Sequence, residues 1–338
     1  MATPLRIGLV GAGRIGAMHA GNLAHRVVGA DLVTIADPVP GAADRLAGDL
    51  GAAGTTDVGG LLADPAVDAV VITASATAHT ELVVAAAEAG KAVFCEKPMA
   101  LTLEEADRAI DAARSAGVPL QVGFNRRFAA DFRAAREVVV AGGIGTPQLL
   151  RSLTRDPGLA DPGAVKPWTI FRETLIHDFD ALCWLNPGAE PVEVYAVADA
   201  LVAPDFKARG LLDTAVVMIR FDNGAIATAD ASFSAAYGYD VRGEVFGSAG
   251  MVTAGEQRRT AAAVYTVAGV AQETVRRDVE LFADAYVAEL QSFVDHLHGA
   301  TPVEVTGEDA RAALRIALAA IASVEGGRPV RVEEVEKA

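Results

Sequence analysis

The chain is poor in cysteine, in basic residues and in long apolar runs, and each shortage excludes a class of protein. Its 338 residues include only Cys95 and Cys183, with neither metal-ligand spacing nor a disulfide framework, so we expect a reducing compartment and no metal. Lysine and arginine number 29 against 44 acidic residues, a net charge of −15, which argues against nucleic acid or an anionic membrane as partner. Apolar runs stay below the ~18 residues of a membrane span, and the N-terminus lacks a secretory pattern, so we expect a cytoplasmic protein.

The length and the order of elements predict two domains. A chain of 338 residues exceeds one core of ordinary size. Buried strands such as Val67–Thr73 alternate with helices, which predicts a doubly wound parallel α/β sheet over residues 1–123. A run of strands with a hairpin turn at Asp222–Gly224 then predicts an α+β domain over residues 124–338 with a large, mainly antiparallel open sheet. One face of that sheet needs a cover, so we expect a homo-oligomer.

A glycine-rich segment directly after the first strand is the strongest single motif. The strand Leu5–Val10 is followed by Gly11-Ala-Gly13-Arg-Ile-Gly16 and a helical segment, the arrangement that binds the pyrophosphate of a dinucleotide. The glycines permit the turn, the approach of the phosphates and close helix packing, and the helix N-terminus faces the anion. The predicted contacts of this segment are Gly11, Ala12, Gly13, Arg14 and Ile15.

An acid at the expected distance specifies the cofactor as NAD. Asp37 ends the second predicted strand, 24 positions after Gly13 (37 minus 13), close to the roughly 20 expected for the acid that holds the ribose hydroxyls. A carboxylate there accepts from the 2′ and 3′ hydroxyls and repels a 2′-phosphate. On its own, Asp37 is equally consistent with a turn residue before Pro38.

Polar residues that follow the later strands are candidates for chemistry at the carboxyl edge of the sheet. Lys97 lies in Glu96-Lys97-Pro98 after the strand Ala92–Glu96, where it can polarise a hydroxyl; taken alone, the tripeptide is more typical of a surface turn. Further predicted cofactor contacts are Ser75, His79, Glu96, Lys97 and Asn125.

A histidine on a predicted helix of the second domain is the candidate general base. His177 lies four residues after Glu173 on a helix predicted over about residues 174–185, and an imidazole can accept a proton from an alcohol. A Glu–His pair on an amphipathic helix is more often a surface pair. Three weaker candidates for the substrate pocket are Arg127, Asp156 and Tyr237.

Taken together, these motifs resemble the glucose–fructose oxidoreductase and inositol dehydrogenase family over nearly the whole chain. Gly11–Gly16 is similar to the family's cofactor loop, Glu96-Lys97-Pro98 to its tripeptide with the catalytic lysine, and Ile176–Asp180 to its helix with the catalytic histidine. Gly123–Arg127 and Tyr237–Asp240 resemble the segment after the last strand and a pocket wall of inositol dehydrogenases. One departure is Glu173, where the family usually has aspartate.

The resemblance implies an NAD-dependent oxidation of a ring hydroxyl in a cyclic polyol, first of all myo-inositol to 2-keto-inositol. His177 would take the hydroxyl proton, Glu173 would set its basicity, and Lys97 would bind the same oxygen. The remaining hydroxyls would be held by Arg127, Asp156 and Tyr237. Two alternatives stay open: a pyranose sugar or another cyclitol as substrate, which the change at Glu173 motivates, and a dinucleotide-binding sensor without turnover.

Overall fold

The chain forms two compact units, each built on its own sheet. The computed structural model describes residues 3–159, 161–255 and 258–336. The first unit comprises residues 1–128 and 284–312, and the second comprises residues 129–283 and 313–338. The boundary predicted between residues 123 and 124 lies five residues before the end of the first segment (128 minus 123), whereas residues 284–312, predicted in the second domain, belong to the first unit.

The first unit is a doubly wound sheet of six parallel strands in the order β3-β2-β1-β4-β5-β6. The strands are β1 (Leu5–Val10), β2 (Ala30–Ala36), β3 (Ala53–Thr55), β4 (Ala69–Ile72), β5 (Ala92–Glu96) and β6 (Leu120–Gly123). The helices are α1 (Arg14–His25), α2 (Ala42–Leu50), α3 (Val58–Ala63), α4 (Ala76–Glu88) and α5 (Leu103–Ala116). The strands β4 and β5 are buried at every residue, as parallel strands covered on both faces are. The predicted α/β class is confirmed.

A returning segment near the end of the chain completes the core of this unit. Leu290, Phe293 and Val294 belong to the cluster of buried side chains that also contains Leu9 and Phe94. These residues lie on the helix Ala283–Leu297, and its apolar face is buried against this cluster. A capping box formed by Thr102 and Glu105 begins α5.

The second unit is a mixed sheet of seven strands in the order β12-β11-β7-β10-β9-β8-β15. Its strands are β7 (Pro147–Arg155), β8 (Pro191–Asp199), β9 (Thr214–Phe221), β10 (Ile226–Ser232), β11 (Asp240–Gly247), β12 (Gly250–Ala254) and β15 (Val330–Arg331). A separate hairpin joins β13 (Arg258–Thr266) to β14 (Gly269–Thr274). Only the β7–β10 pair within the seven strands is parallel, so the predicted, mainly antiparallel sheet is confirmed.

Helices cover one face of this sheet and leave the other face exposed. In the part of the chain that the structure describes, the remaining α-helices are α6 (Ala130–Val140), α7 (Ile176–Trp184), α8 (Asp278–Leu281), α9 (Ala283–Leu297) and α10 (Gly307–Gly326). Of these, α9 packs in the first unit. Buried and exposed residues alternate along β9, as in a strand with one face on the core. The turn at Asp222–Gly224 joins β9 to β10 with Gly224 at φ +87°, which confirms the predicted hairpin.

Candidate active site

The glycine loop of the first unit has the geometry that its sequence predicts. Gly11 takes a φ of +106° between β1 and α1, a region open to glycine at no steric cost. A Cβ on Gly16 would stand 1.9 Å from the carbonyl oxygen of Gly11, whereas a Cβ on Gly13 would meet nothing within 4 Å. Gly13 is the N-cap residue of α1, and since glycine has no side chain, no side chain caps the helix at this position. The helix N-terminus therefore offers backbone N–H groups beside an open approach, which fits a pyrophosphate.

The carboxylate of Asp37 is fixed beside this loop. Its Oδ2 accepts a hydrogen bond from the backbone N–H of Ala12 at 2.7 Å, and its Oδ1 accepts from that of Val39 at 2.9 Å. A carboxylate has about four acceptor positions, so each oxygen keeps capacity for one more donor. Asp37 is partly exposed. This arrangement suits the two hydroxyls of an adenosine ribose.

The other predicted cofactor contacts of the first unit lie after neighbouring strands, with different environments. Ser75 precedes α4, and its hydroxyl lies 3.1 Å from that of Thr77. The ring of His79 is buried, with Nδ1 2.8 Å from the carbonyl oxygen of Pro98 and Nε2 3.0 Å from that of Ala74. Both ring nitrogens thus contact backbone oxygens, so His79 holds the loops of the site. Asn125 is buried after β6, and its Oδ1 has no hydrogen-bond partner among the described residues, which leaves an acceptor for a bound cofactor.

Lys97 follows β5, two strands from the glycine loop in the order β1-β4-β5. Its side chain is partly exposed, and its backbone N–H donates to Oε2 of Glu96 at 3.1 Å. The carbonyl oxygen of the next residue, Pro98, is the one that contacts His79. The carboxyl edge of a parallel sheet is where ligands bind in open α/β folds. Lys97 thus lies at the edge of the sheet where ligands bind, and the hydrogen bonds of its neighbours Glu96 and Pro98 hold its backbone in place.

The second unit carries His177 on the first turn of α7. The next residue, Asp178, is fully buried and accepts hydrogen bonds from the hydroxyls of Ser152 at 2.5 Å and Thr154 at 2.7 Å. Both hydroxyl groups belong to β7, so this carboxylate anchors α7 to the sheet and fixes the backbone at His177. Sequence reasoning missed Asp178, since an acid at a helix start is usually a solvated side chain.

Glu173 lies in a turn of wider helix that precedes α7. Residues Ile170–Thr174 form a π-helical turn, and the N–H of Leu175 donates to the carbonyl of Ile170. The helix predicted over about residues 174–185 corresponds to α7. Glu173 lies in the i→i+5 turn before it, so the regular four-residue spacing to His177 does not hold. Such turns are frequent at functional sites. Trp168, just before it, has a φ of +65°, a rare value for a bulky residue.

Two further predicted substrate residues lie at the ends of strands in the second unit. Asp156 follows β7, and its backbone is bonded to those of Ser232 and Ala235. The hydroxyl of Tyr237 donates to Oδ2 of the buried Asp240 at 2.7 Å. Burial raises the pKa of Tyr237, and the bond to Asp240 raises it further, so the phenol stays protonated with its one proton donated to Asp240.

Arg127 is buried in the first unit, where it pairs with an acid of α10. Its Nη2 lies 3.0 Å from Oδ1 of Asp309. Burial alone would raise the pKa of Asp309, but Arg127 and hydrogen bonds from Thr306 outweigh it and lower the pKa. Arg127 therefore anchors the returning segment, and its role toward substrate stays a prediction.

The geometry and two sequence comparisons define the class of protein. A glycine loop, a ribose-type acid and a lysine at the carboxyl edge of one sheet, joined to an α+β unit with a histidine, are the parts of a dinucleotide-dependent oxidoreductase. A model described as "Oxidoreductase family, NAD-binding Rossmann fold" matches residues 5–124, and the GFO/IDH/MocA C-terminal domain matches residues 132–253. The chain belongs to the GFO/IDH/MocA oxidoreductase family and binds NAD through its first domain.

Several relatives of known name align over their full length. Myo-inositol 2-dehydrogenase of Thermotoga maritima is 39% identical over 98% of this chain and 99% of its own. Scyllo-inositol 2-dehydrogenase (NAD(+)) of Bacillus subtilis is 36% identical over 98% of each. The crystal structure of scyllo-inositol dehydrogenase from Lactobacillus casei with bound NAD(H) and scyllo-inositol superposes with a TM-score of 0.93, at 29% identity, over 98% of this chain and 100% of that one.

Proposed function

We propose that this protein oxidises a ring hydroxyl of a cyclic polyol with NAD, with myo-inositol, converted to 2-keto-inositol, as the first candidate substrate. The observation that carries the proposal is the position of Lys97, at the carboxyl end of β5 in the same sheet as the glycine loop. The similarity to relatives named for inositol supports the substrate class. NAD, when bound, supplies the acceptor for the hydride.

The residues of the chain bind and orient the substrate and move its hydroxyl proton. Lys97 donates a hydrogen bond to the substrate oxygen and stabilises its developing charge. The imidazole of His177 takes the hydroxyl proton, and Glu173 supports its basicity. The phenol oxygen of Tyr237, whose proton is donated to Asp240, accepts from a neighbouring substrate hydroxyl, and Asp156 accepts from another. The role of Arg127 toward the substrate is proposed without assigning it a particular hydroxyl. The cofactor contacts proposed for the chain are those named above, from Gly11 to Asn125.

A panel of polyols tests the function. We expect NADH absorbance to appear with NAD and at least one inositol isomer, and with aldopyranoses only at a rate roughly 100-fold lower, because hydroxyls matched by buried polar groups discriminate strongly. Turnover of an aldopyranose above every inositol isomer would favour the alternative motivated by Glu173. NADH binding without oxidation of any member of the panel would show a sensor without turnover.

Asp37 sets the choice between NAD and NADP. Asp37→Ser removes the charge that repels a 2′-phosphate, so we expect the preference for NAD over NADP, measured as a ratio of kcat/KM, to fall by roughly 10–100-fold, the equivalent of a charged hydrogen bond. Asp31→Ser is the matched control, because Asp31 is an exposed acid at the start of β2, the strand that ends just before Asp37; it should leave the ratio unchanged. An unchanged ratio in the Asp37 variant would remove this residue from the ribose site.

The exposed face of the second sheet supports the predicted homo-oligomer. Tyr195 and Val197 on β8 lie opposite Met218 and Val216 on β9, and all four are exposed. A contiguous apolar patch of this kind is typical of a protein interface. Among the described residues, none of the helices is long and apolar enough to cross a membrane. The cytoplasmic location stays a prediction.

A further inference from the structure

Three titratable side chains meet in the interior of the first unit, and none was part of the chemistry considered above except Glu96. His19 comes from α1, Glu96 from the end of β5 and Glu289 from α9. His19 and Glu289 are fully buried, and Glu96 is 6% exposed. One ligating atom from each side chain lies within 4.8 Å of the others. We call these residues the His19–Glu96–Glu289 cluster.

The distances within the cluster define one tight pair and one lone acid. Nε2 of His19 lies 2.6 Å from Oε1 of Glu96, and 3.9 Å from Oε1 of Glu289. Within the described part of the chain, neither oxygen of Glu289 has a hydrogen-bond partner. A buried carboxylate without a partner is far costlier than a buried neutral acid. The cluster therefore needs either a proton or a cation at Glu289.

The short contact between His19 and Glu96 favours a proton, rather than a cation, at Glu289. Zinc ligands stand about 2.0–2.2 Å from the metal, so two atoms that share such an ion are held farther apart than a short hydrogen bond. The His19–Glu96 distance of 2.6 Å is that of a charge-assisted hydrogen bond. Nδ1 of His19 has no partner among the described residues, and the edges of Phe94 and Tyr286 flank its ring. The ring proton thus belongs on Nε2, donated to Glu96.

The cluster touches the backbone of the proposed catalytic lysine. Oε2 of Glu96 accepts a hydrogen bond from the backbone N–H of Lys97. Oε1 is hydrogen-bonded to His19 on α1, the helix that follows the glycine loop. We propose that Glu96 carries a charge and Glu289 a proton, and that the cluster positions Lys97 through the Glu96 carboxylate. Glu96 and Glu289 are positioning residues in this scheme, which rests on the proposed function for its effect on turnover.

The electrostatics agree with this assignment. Burial raises the pKa of Glu289 well above its usual value, and the charge of Glu96 raises it further. Burial also opposes ionisation of Glu96, but the hydrogen bond from His19 and the positive charge of Lys97 favour the carboxylate, and the pKa of Glu96 is lowered. The other titratable groups that face the cluster are Cys95 and Lys97 beside Glu96, His79 on α4 and Tyr286 on α9.

The proton on Glu289 is tested by stability rather than by turnover. A group whose pKa is raised by folding stabilises the fold at low pH, and that contribution is lost as pH rises through the folded pKa. Glu289→Gln mimics the neutral acid, so its melting temperature should match that of the wild type near about pH 4, below the unfolded pKa of a glutamate, and exceed it by about 3 °C or more near about pH 9. Glu88→Gln, an exposed acid on α4, should follow the wild type at both.

Two results would overturn the proton assignment. One is a pair of superimposable melting curves for wild type and Glu289→Gln across the pH range. The other is a wild-type protein that EDTA destabilises and Mn²⁺ or Zn²⁺ restabilises while Glu289→Gln responds to neither, which would make the cluster a metal site. Both measurements are independent of any polyol.

The positioning role of Glu96 is tested by separating kcat from cofactor binding. Glutamine offers one acceptor oxygen, whereas the donors of His19 and Lys97 point at both oxygens of Glu96. Glu96→Gln should therefore lower kcat by roughly 10–100-fold, a larger factor than any rise in the Kd for NADH. Hydrogen exchange at the Lys97 amide should accelerate in this variant and not in Glu88→Gln. Unchanged kcat and exchange would overturn the role. If wild type oxidises no polyol, the proposed function fails, and the exchange and melting data still decide the cluster.

Discussion

Lys97→Met abolishes polyol oxidation, with kcat expected to fall by about a thousandfold or more, because the variant loses the donor that stabilises charge on the substrate oxygen. Methionine keeps an unbranched apolar stem close to that of lysine and lacks only the ammonium group, so the sheet edge should remain folded. The glycine loop and Asp37, which lie on other strands, remain intact. The Kd for NADH should therefore stay within about threefold of the wild-type value.

The matched control for this substitution is Lys207→Met. Lys207 pairs with Asp199 on the surface, and an exposed pair of this kind contributes little to stability. Steady-state formation of NADH and a fluorescence titration with NADH are the two measurements. A Lys97→Met variant that retains a tenth of the wild-type kcat would remove the lysine from the proposed mechanism.

Gly16→Ala should impair dinucleotide binding through a single methyl group. Its Cβ would stand 1.9 Å from the carbonyl oxygen of Gly11 and 2.8 Å from the hydroxyl of Thr73. Because the first of these atoms is backbone, relief requires the glycine loop itself to move away from the helix. Overpacking of this kind costs about 1–3 kcal/mol or more, and we expect the Kd for NADH to rise by about 100-fold together with a lower melting temperature.

Another glycine of the same helix provides the control. Gly21 lies in α1, and a Cβ there would meet nothing within 4 Å. Gly21→Ala should stabilise the protein by about 0.5–1 kcal/mol, since alanine favours a helix interior over glycine. Equal effects of the two substitutions on NADH binding would show that the close packing at Gly16 is not what shapes the loop.

The sequence predicts the first sheet and the cofactor loop well because their determinants are local. Buried parallel strands such as β4 appear as continuous apolar runs, and the separation between Gly13 and Asp37 follows from one strand–helix–strand unit. The capping box at Thr102 requires only residues within one turn. In each case the residues that form the interaction lie close together in the chain.

The remaining features depend on residues that are distant in sequence. Glu289 lies on an amphipathic helix, where an acid is typical of a solvated face, and only its packing beside His19 and Glu96 in the interior of the first unit reveals that it is buried. Ser152 and Thr154 reveal the role of Asp178 only when β7 and α7 are placed together. The β13–β14 hairpin is exposed along nearly its whole length, so no hydrophobic alternation marks it.

The interleaved course of the chain has a consequence for biosynthesis. By residue 128 the ribosome has supplied every strand of the six-stranded sheet, yet Leu290, Phe293 and Val294 of its core are still to be made. Domains usually fold as they emerge, N-terminal first. Here the nascent polypeptide must keep an apolar sheet face uncovered while more than 150 further residues are translated (284 minus 128 is 156), so the region synthesised first is the one whose folding finishes late and whose exposure to chaperones lasts longest.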